Sequence, residues 1–170
     1  ELARDHLLAE GIDAAAVEVT GNTVIDALLD VADKPFGFDG SPRAQVPFDT
    51  RRVILVTAHR RESFGAAFES LCRGLRDLAA RFADEIYLVY PVHRNPNVRS
   101  VVEPMLSGLD NVLLTDPMDY LPLVQLMKRA YLVLTDSGGL QEEAPSLGKP
   151  VLVMREVTER QEGVAAGTVK

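Results

Sequence analysis

Five short, almost wholly apolar runs, set between longer stretches of helical period across residues 52–154, constrain this chain more than any other feature. They are Val53-Ile54-Leu55-Val56, Ile86-Tyr87-Leu88-Val89, Asn111-Val112-Leu113-Leu114, Tyr131-Leu132-Val133-Leu134 and Val151-Leu152-Val153-Met154. None alternates apolar with polar, as a strand with one wet face would; each is what a strand buried on both faces requires. Between the first two runs, Phe68, Leu71, Cys72, Leu75, Leu78, Ala79 and Phe82 recur at helical spacing, marking one apolar helix face and making Cys72 a core residue. Further helices are predicted over 97–107, 119–129 and 138–147. Such alternation implies right-handed crossovers and a parallel sheet with helices on both faces, an α/β doubly wound domain. In such sheets ligands bind beyond the carboxyl ends of the strands, and that edge is where chemistry is expected.

The flanking segments read differently. Val17-Glu18-Val19-Thr20 is predicted as a strand, and Asn22 as the cap of a helix carrying Val24, Ile25, Leu28 and Leu29. Residues 32–50 hold Pro35, Pro42, Pro47, Gly37 and Gly40 without any period, so they are predicted as a loop or linker. The chain opens on Glu1 rather than Met, inside a helical pattern that carries a solvated His6, so it is expected to be a piece of something longer. With 170 residues there is room for one sizeable core. A net charge of −7 argues against a nucleic-acid partner, which needs a field of Lys and Arg, but leaves room for small anions at locally basic segments such as His59-Arg60-Arg61. One cysteine excludes an intrachain disulfide, and the histidines have no zinc-ligand spacing. No run approaches the length of a membrane span and no signal peptide opens the chain, so a cytoplasmic location is expected, with no membrane partner.

The predicted strand ends carry polar residues that a core does not need. After the first strand comes Thr57-Ala58-His59-Arg60-Arg61-Glu62-Ser63-Phe64-Gly65, after the second Tyr90-Pro91-Val92-His93-Arg94-Asn95-Pro96-Asn97, and after the fourth Thr135-Asp136-Ser137-Gly138-Gly139-Leu140-Gln141-Glu142-Glu143. Arg155 and Thr158-Glu159-Arg160 follow the fifth. In Ser137-Gly138-Gly139, glycines admit close approach to the backbone, and the following helix N-terminus attracts phosphate. The same pair equally suits a tight turn with no ligand. Glu143 stands further along that helix, where a carboxylate accepts from the paired hydroxyls of a ribose. His59 has the chemistry to donate to a departing phosphate, or else to stabilise its own loop. His93 has the same two readings, in a loop already shaped by Pro91 and Pro96. The glycine pattern is neither GxGxxG nor GxxxxGK[ST], which removes support for hydride transfer and Mg-dependent nucleotide hydrolysis.

Taken together, GNTVIDAL (21–28), ILVTAHRRESFG (54–65), VYPVHRNPNVR (89–99), DYLPLVQLM (119–127), LTDSGGLQEEAPSLGKPVLVMREVTER (134–160) and GTVK (167–170) closely resemble the non-hydrolysing UDP-N-acetylglucosamine 2-epimerases of bacteria. The resemblance implies one Rossmann-like half of a glycosyltransferase-B type two-domain fold. On that basis residues 1–31 are the tail of a preceding domain or an inter-domain segment, 32–50 a linker, and 51–170 a truncated C-terminal UDP-binding domain. It implies interconversion of UDP-GlcNAc and UDP-ManNAc through UDP elimination, 2-acetamidoglucal and re-addition, without metal or other cofactor. Carried over by position, Ser137, Gly138 and Gly139 would hold the diphosphate and Glu143 the ribose. Leu123 and Met118 would border the uracil, Arg160 would add a UDP contact, and His59 would assist UDP departure. Arg60 and His93 are the positions for a second, regulatory substrate molecule. The residues handling the C2 proton would lie in an absent N-terminal half, leaving this chain inactive alone, and the full-length protein would be a homodimer. A UDP-sugar glycosyltransferase domain and a non-catalytic nucleotide-sugar-binding module are the alternatives.

Overall fold

The computed structural model describes residues 2–60, 64–155 and 157–170. Its centre is a five-stranded sheet of β1 (Arg52–Thr57), β2 (Ile86–Pro91), β3 (Val112–Thr115), β4 (Leu132–Thr135) and β5 (Val151–Val153), in the order β3-β2-β1-β4-β5. Every pairing is parallel, with Leu55 opposite Val89 on one side and Val133 on the other. The expected doubly wound α/β architecture is therefore observed, with all five apolar runs as strands. The strand order reverses between β1 and β4, which puts the switch point of the sheet between the ends of those two strands.

Strand parity divides the interior into two cores. Ile54 and Val56 join Leu88 and Tyr90 under α3 (Ala66–Arg81) and α4 (Pro96–Leu106), where Phe68, Cys72, Leu75, Val98 and Val102 are buried. Val53 and Leu55 face the opposite way, into a core with Val124, Leu126 and Met127 of α5 (Tyr120–Arg129) and Leu140 and Ala144 of α6 (Gly138–Ser146). The predicted helices are all present, and Cys72 is fully buried as expected, its thiol pushed up to about 11 by burial.

Two shorter helices precede the sheet, α1 (Leu2–Ala9), which buries nothing and leaves His6 exposed, and α2 (Thr23–Ala32). Asn22 caps α2 as predicted, its side-chain oxygen accepting from the Val24 N–H at 3.1 Å. Leu28 is fully buried against the α5–α6 core, and the far end of α2 is tied there by side chains. The Gln125 amide donates to the carbonyls of Val31, Ala32 and Lys34, and Lys128 donates to Ala32 at 2.7 Å. These bonds supply donors to carbonyls at and just beyond the helix end, where the helical pattern runs out of N–H partners. Of the expected linker 32–50, Ala32 closes α2, and residues 33–50 have no regular structure beyond a 3-10 turn at Pro42–Gln45, yet they bury Phe38 and Val46, and Arg129 stacks 3.7 Å from the Phe48 ring centre.

The strand expected at Val17–Thr20 is absent. Those residues have no regular structure, Val19 is half exposed, and no described strand lies alongside to complete a ladder. Extended conformation without a partner leaves the backbone bonds to water, so local β-propensity had nothing to act on. The last described helix is α7 (Gln161–Ala165), after which Val169 bridges to Val151 beside β5.

Candidate functional site

At the switch point, the loop leaving β1 meets the turn leaving β4. Thr57 and Thr135 lie in register and their hydroxyls approach to 2.6 Å. The next residue on β4, Asp136, is buried, and one carboxylate oxygen accepts from the backbone N–H groups of both His59 and Arg60, at 2.7 Å each. Its carbonyl accepts from Arg60 Nε at 3.0 Å. From the other side, the buried Tyr90 hydroxyl donates to the Ala58 carbonyl at 2.6 Å. The basic loop is thus fixed by a carboxylate and a phenol supplied from neighbouring strands. Arg61, Glu62 and Ser63 of the same motif lie outside the described residues.

His59 stands with Nδ1 3.4 Å from the second Asp136 oxygen, its side chain partly exposed. The Asp136 carboxylate raises the His59 pKa above its ordinary value, outweighing burial and the Arg60 charge. Burial pushes the Asp136 carboxyl up in turn, but His59 and the two loop N–H groups prevail and hold it below the usual range. His93 stacks on His59 with ring centres 5.4 Å apart and planes 11° from parallel, while its Nδ1 accepts from the Asn95 N–H at 3.1 Å.

The turn after β4 opens α6 with Ser137 at the cap position and no side-chain cap on the helix N–H groups. Neither Gly138 nor Gly139 has positive φ, so backbone conformation does not demand glycine there. A Cβ at Gly138 would stand 3.7 Å from the guanidiniums of both Arg60 and Arg160, and one at Gly139 3.7 Å from the Glu143 carboxylate, all ordinary contact distances. Gly163 differs, since a Cβ there would come within 2.8 Å of Val169. The fold requires Gly163; it leaves Gly138 and Gly139 free to be something else. The bare helix end has the Arg60 and Arg160 guanidiniums beside it, the former 3.8 Å from Glu159, and its N–H groups and dipole favour an anion. Arg160 is ion-paired with Glu142, whose other oxygen accepts from Asn22 at 2.6 Å. Arg155 pairs with Glu159, holding that exposed carboxylate down at about 2.

Beside this end lies a cleft of about 330 Å³. Ser137, Gly139, Thr57 and His59 give it polar lining, Pro91, Pro117, Met118 and Leu123 give it apolar lining, and Glu143 and Tyr120 line it too. Burial pushes the Glu143 carboxyl up, the Tyr120 hydroxyl opposing it. Of the residues singled out from sequence, His59, His93, Met118, Leu123, Ser137, Gly139 and Glu143 line this one cleft; Gly138, Arg60 and Arg160 do not line it, the two arginines standing beside Gly138 and Arg160 lining a neighbouring hollow with Gln141, Glu142 and Glu159. Asp136, Tyr120 and the two prolines were not singled out. Asp136 stood in the motif quoted for its glycines, where only the β1–β4 pairing gives it a task. Among the described residues, no group of three or more His, Cys, Asp or Glu side chains is placed to hold a metal ion, and no helix is long and apolar enough to cross a membrane.

A parallel sheet whose switch point presents an uncapped helix end, two guanidiniums and an adjoining cleft of mixed polar and apolar lining defines a Rossmann-like domain suited to a phosphorylated ligand. Across residues 1–170 the chain matches the family model for UDP-N-acetylglucosamine 2-epimerase, and it belongs to that family. It is 54% identical over 175 aligned residues to the UDP-N-acetylglucosamine 2-epimerase of Escherichia coli K12, covering all of this chain and 46% of that protein. It superposes on the Neisseria meningitidis UDP-GlcNAc 2-epimerase bound to UDP-GlcNAc with a TM-score of 0.88 and 46% identity, over 99% of this chain and 46% of that one. The S. aureus MnaA-UDP co-structure is similar at a TM-score of 0.89 and 45% identity, over 99% and 44%. The chain therefore spans a little under half the length of the relatives it matches.

Proposed function

We propose that this chain is the UDP-binding half of an enzyme that interconverts UDP-GlcNAc and UDP-ManNAc, one Rossmann-like half of a glycosyltransferase-B type pair. The observation that carries the reading is the bare N-terminus of α6, with Gly138 between Arg60 and Arg160 at the sheet's switch point. Ser137, Gly138, Gly139 and Arg160 receive the diphosphate, the helix N–H groups donating to its oxygens. Glu143 accepts from the ribose hydroxyls, a role that fits a half-buried carboxylate lining the cleft. Met118 and Leu123 border the uracil with their apolar side chains, and Pro117 lines the same cleft.

The reaction breaks the C1–O bond to UDP and removes the C2 proton, giving 2-acetamidoglucal, then re-adds UDP with the opposite configuration at C2. Negative charge grows on the departing phosphate, and His59, whose pKa Asp136 raises, answers it in its protonated form with a hydrogen bond and positive charge. The groups that move the C2 proton belong to the opposing half. Arg60 and His93 are the positions for a second, regulatory substrate molecule, adjoining the first, since Arg60 borders Gly138 and His93 stacks on His59. In its full length the protein is a homodimer, which its molar mass by light scattering reads out.

Calorimetric titration of the chain tests the reading. UDP binds, 2′-deoxy-UDP binds more weakly through the loss of a Glu143 contact, and UDP-GlcNAc is not epimerised by this chain alone. A folded chain that ignores UDP, or one that turns over UDP-GlcNAc, refutes it.

A further inference from the structure

Asp136 contributes more than anchorage to the loop after β1. One oxygen is fully used, by the N–H groups of His59 and Arg60. The other is buried and makes no hydrogen bond among the described residues, while His59 Nδ1 stands 3.4 Å away. A carboxylate oxygen desolvated in this way is costly unless a donor faces it. The ring nitrogen is that donor, provided Nδ1 carries a proton, and a small closing movement of the ring brings it to bonding distance. Nε2 is then the nitrogen left for the cleft.

We propose that Asp136 is a positioning residue that fixes His59 as an Nδ1–H ring with Nε2 presented to the departing phosphate. The inference rests on the UDP-binding reading for what Nε2 meets, but the Asp136–His59 coupling itself does not need it. The arrangement has the logic of an acid–base histidine oriented by a buried carboxylate, in which the carboxylate sets tautomer and charge without titrating itself. The other groups around the ring agree. Arg60, on the same loop, opposes a second positive charge, but its Nε is turned onto the Asp136 carbonyl. His93, from the loop after β2, offers a parallel face, and an accepting Nδ1 places its own proton on Nε2. From α5 and α6, Tyr120 and Glu143 line the same cleft further along. Asp136 is thus the buried anion directly against the His59 ring.

The test is nitrogen and carbon NMR of the imidazoles in the 170-residue chain, wild type against Asp136→Asn. The amide oxygen can still accept the two loop N–H groups, while its NH₂ now faces Nδ1 and demands an acceptor there. The expected result is a lower His59 pKa, with the Nδ1 signal changing from protonated to unprotonated in the neutral ring. Affinity for UDP at neutral pH falls on the order of tenfold, as for loss of one charged hydrogen bond, and recovers at acid pH where both rings are protonated. An unchanged His59 titration in a folded Asp136→Asn chain overturns the proposal. If that variant does not fold, His59→Gln answers instead: the Asp136 carboxyl titrates higher than in wild type if the two are coupled, and at the same pH if they are not. A wild-type chain that shows the coupling but no UDP binding refutes the functional reading and leaves the coupling standing.

Discussion

Gly139→Ala separates what the fold needs from what the ligand needs. The residue sits in the first turn of α6 with ordinary helical φ, and the added methyl meets nothing nearer than Glu143 Oε1 at 3.7 Å and Ser137 Oγ at 3.9 Å. Alanine in a compatible conformation restricts the unfolded chain, so the variant gains about 0.4–1 kcal/mol. In a chain of this size that is a rise of roughly 1–4 °C in Tm. The same methyl projects into the cleft, between the helix N–H groups and Glu143. A diphosphate held there loses at least one charged hydrogen bond, about 1.5–3 kcal/mol, which is a roughly 10- to 150-fold weaker Kd for UDP. Thermal unfolding and calorimetry on one preparation read both quantities. Gly163→Ala is the converse control: its Cβ lies 2.8 Å from Val169, so Tm falls while UDP affinity of the folded chain holds. Gly139→Ala binding UDP as wild type does would show that the phosphate is not received at α6, and a lower Tm would show that the glycine serves the fold.

The Asp136–His59 pair also gives stability a pH window. The lowered Asp136 pKa contributes above about pH 3.9 and is lost as pH falls through the folded value, while the raised His59 pKa contributes below about 6.5 and is lost as pH rises through its own folded value. The stability gap between wild type and Asp136→Asn is therefore widest from roughly pH 4 to 6.5 in urea unfolding, and a gap independent of pH contradicts the coupling. Cys72, fully buried and with its thiol raised to about 11, resists thiol reagents at pH 8 until the chain unfolds, as mass spectrometry after timed labelling will read. Leu28→Ala costs about 2–5 kcal/mol in denaturant unfolding, because α2 is part of the core; a loss within error would mean that α2 is only loosely held.

The sheet was legible because its central strands are buried on both faces, so Val53–Val56 or Ile86–Val89 can be apolar at every position and the run stands out. Helix α3 was legible through its three-and-four spacing, which survives any sequence context. Val17–Thr20 misled because extended residues become a strand only beside a partner, and that information is not local. Residues 32–50 look like bare linker, and no sequence period reveals that Gln125 and Lys128, nearly a hundred positions away, tie down their start. In the site, strand ends and motif resemblance pointed to His59, Ser137, Gly139 and Glu143, and the cleft gathers them. Asp136 escaped because its meaning lies in a pairing between β1 and β4: to a reader of sequence it is one more polar residue after a strand. Tyr120 escaped likewise, as an aromatic at the start of a helix.

The split of the interior into two cores has a bearing on how this site can vary. Successive residues of β1 serve opposite sides, and the loop bearing His59 begins one residue after the strand ends. Gaining or losing a single residue inside β1 would exchange the occupants of both cores and turn His59 away from Asp136 in the same stroke. A change of two residues would restore the parity but carry the loop about 7 Å along the strand, past its carboxylate. Insertions can accumulate in the loops around this cleft, but the length of the strand that feeds it is locked.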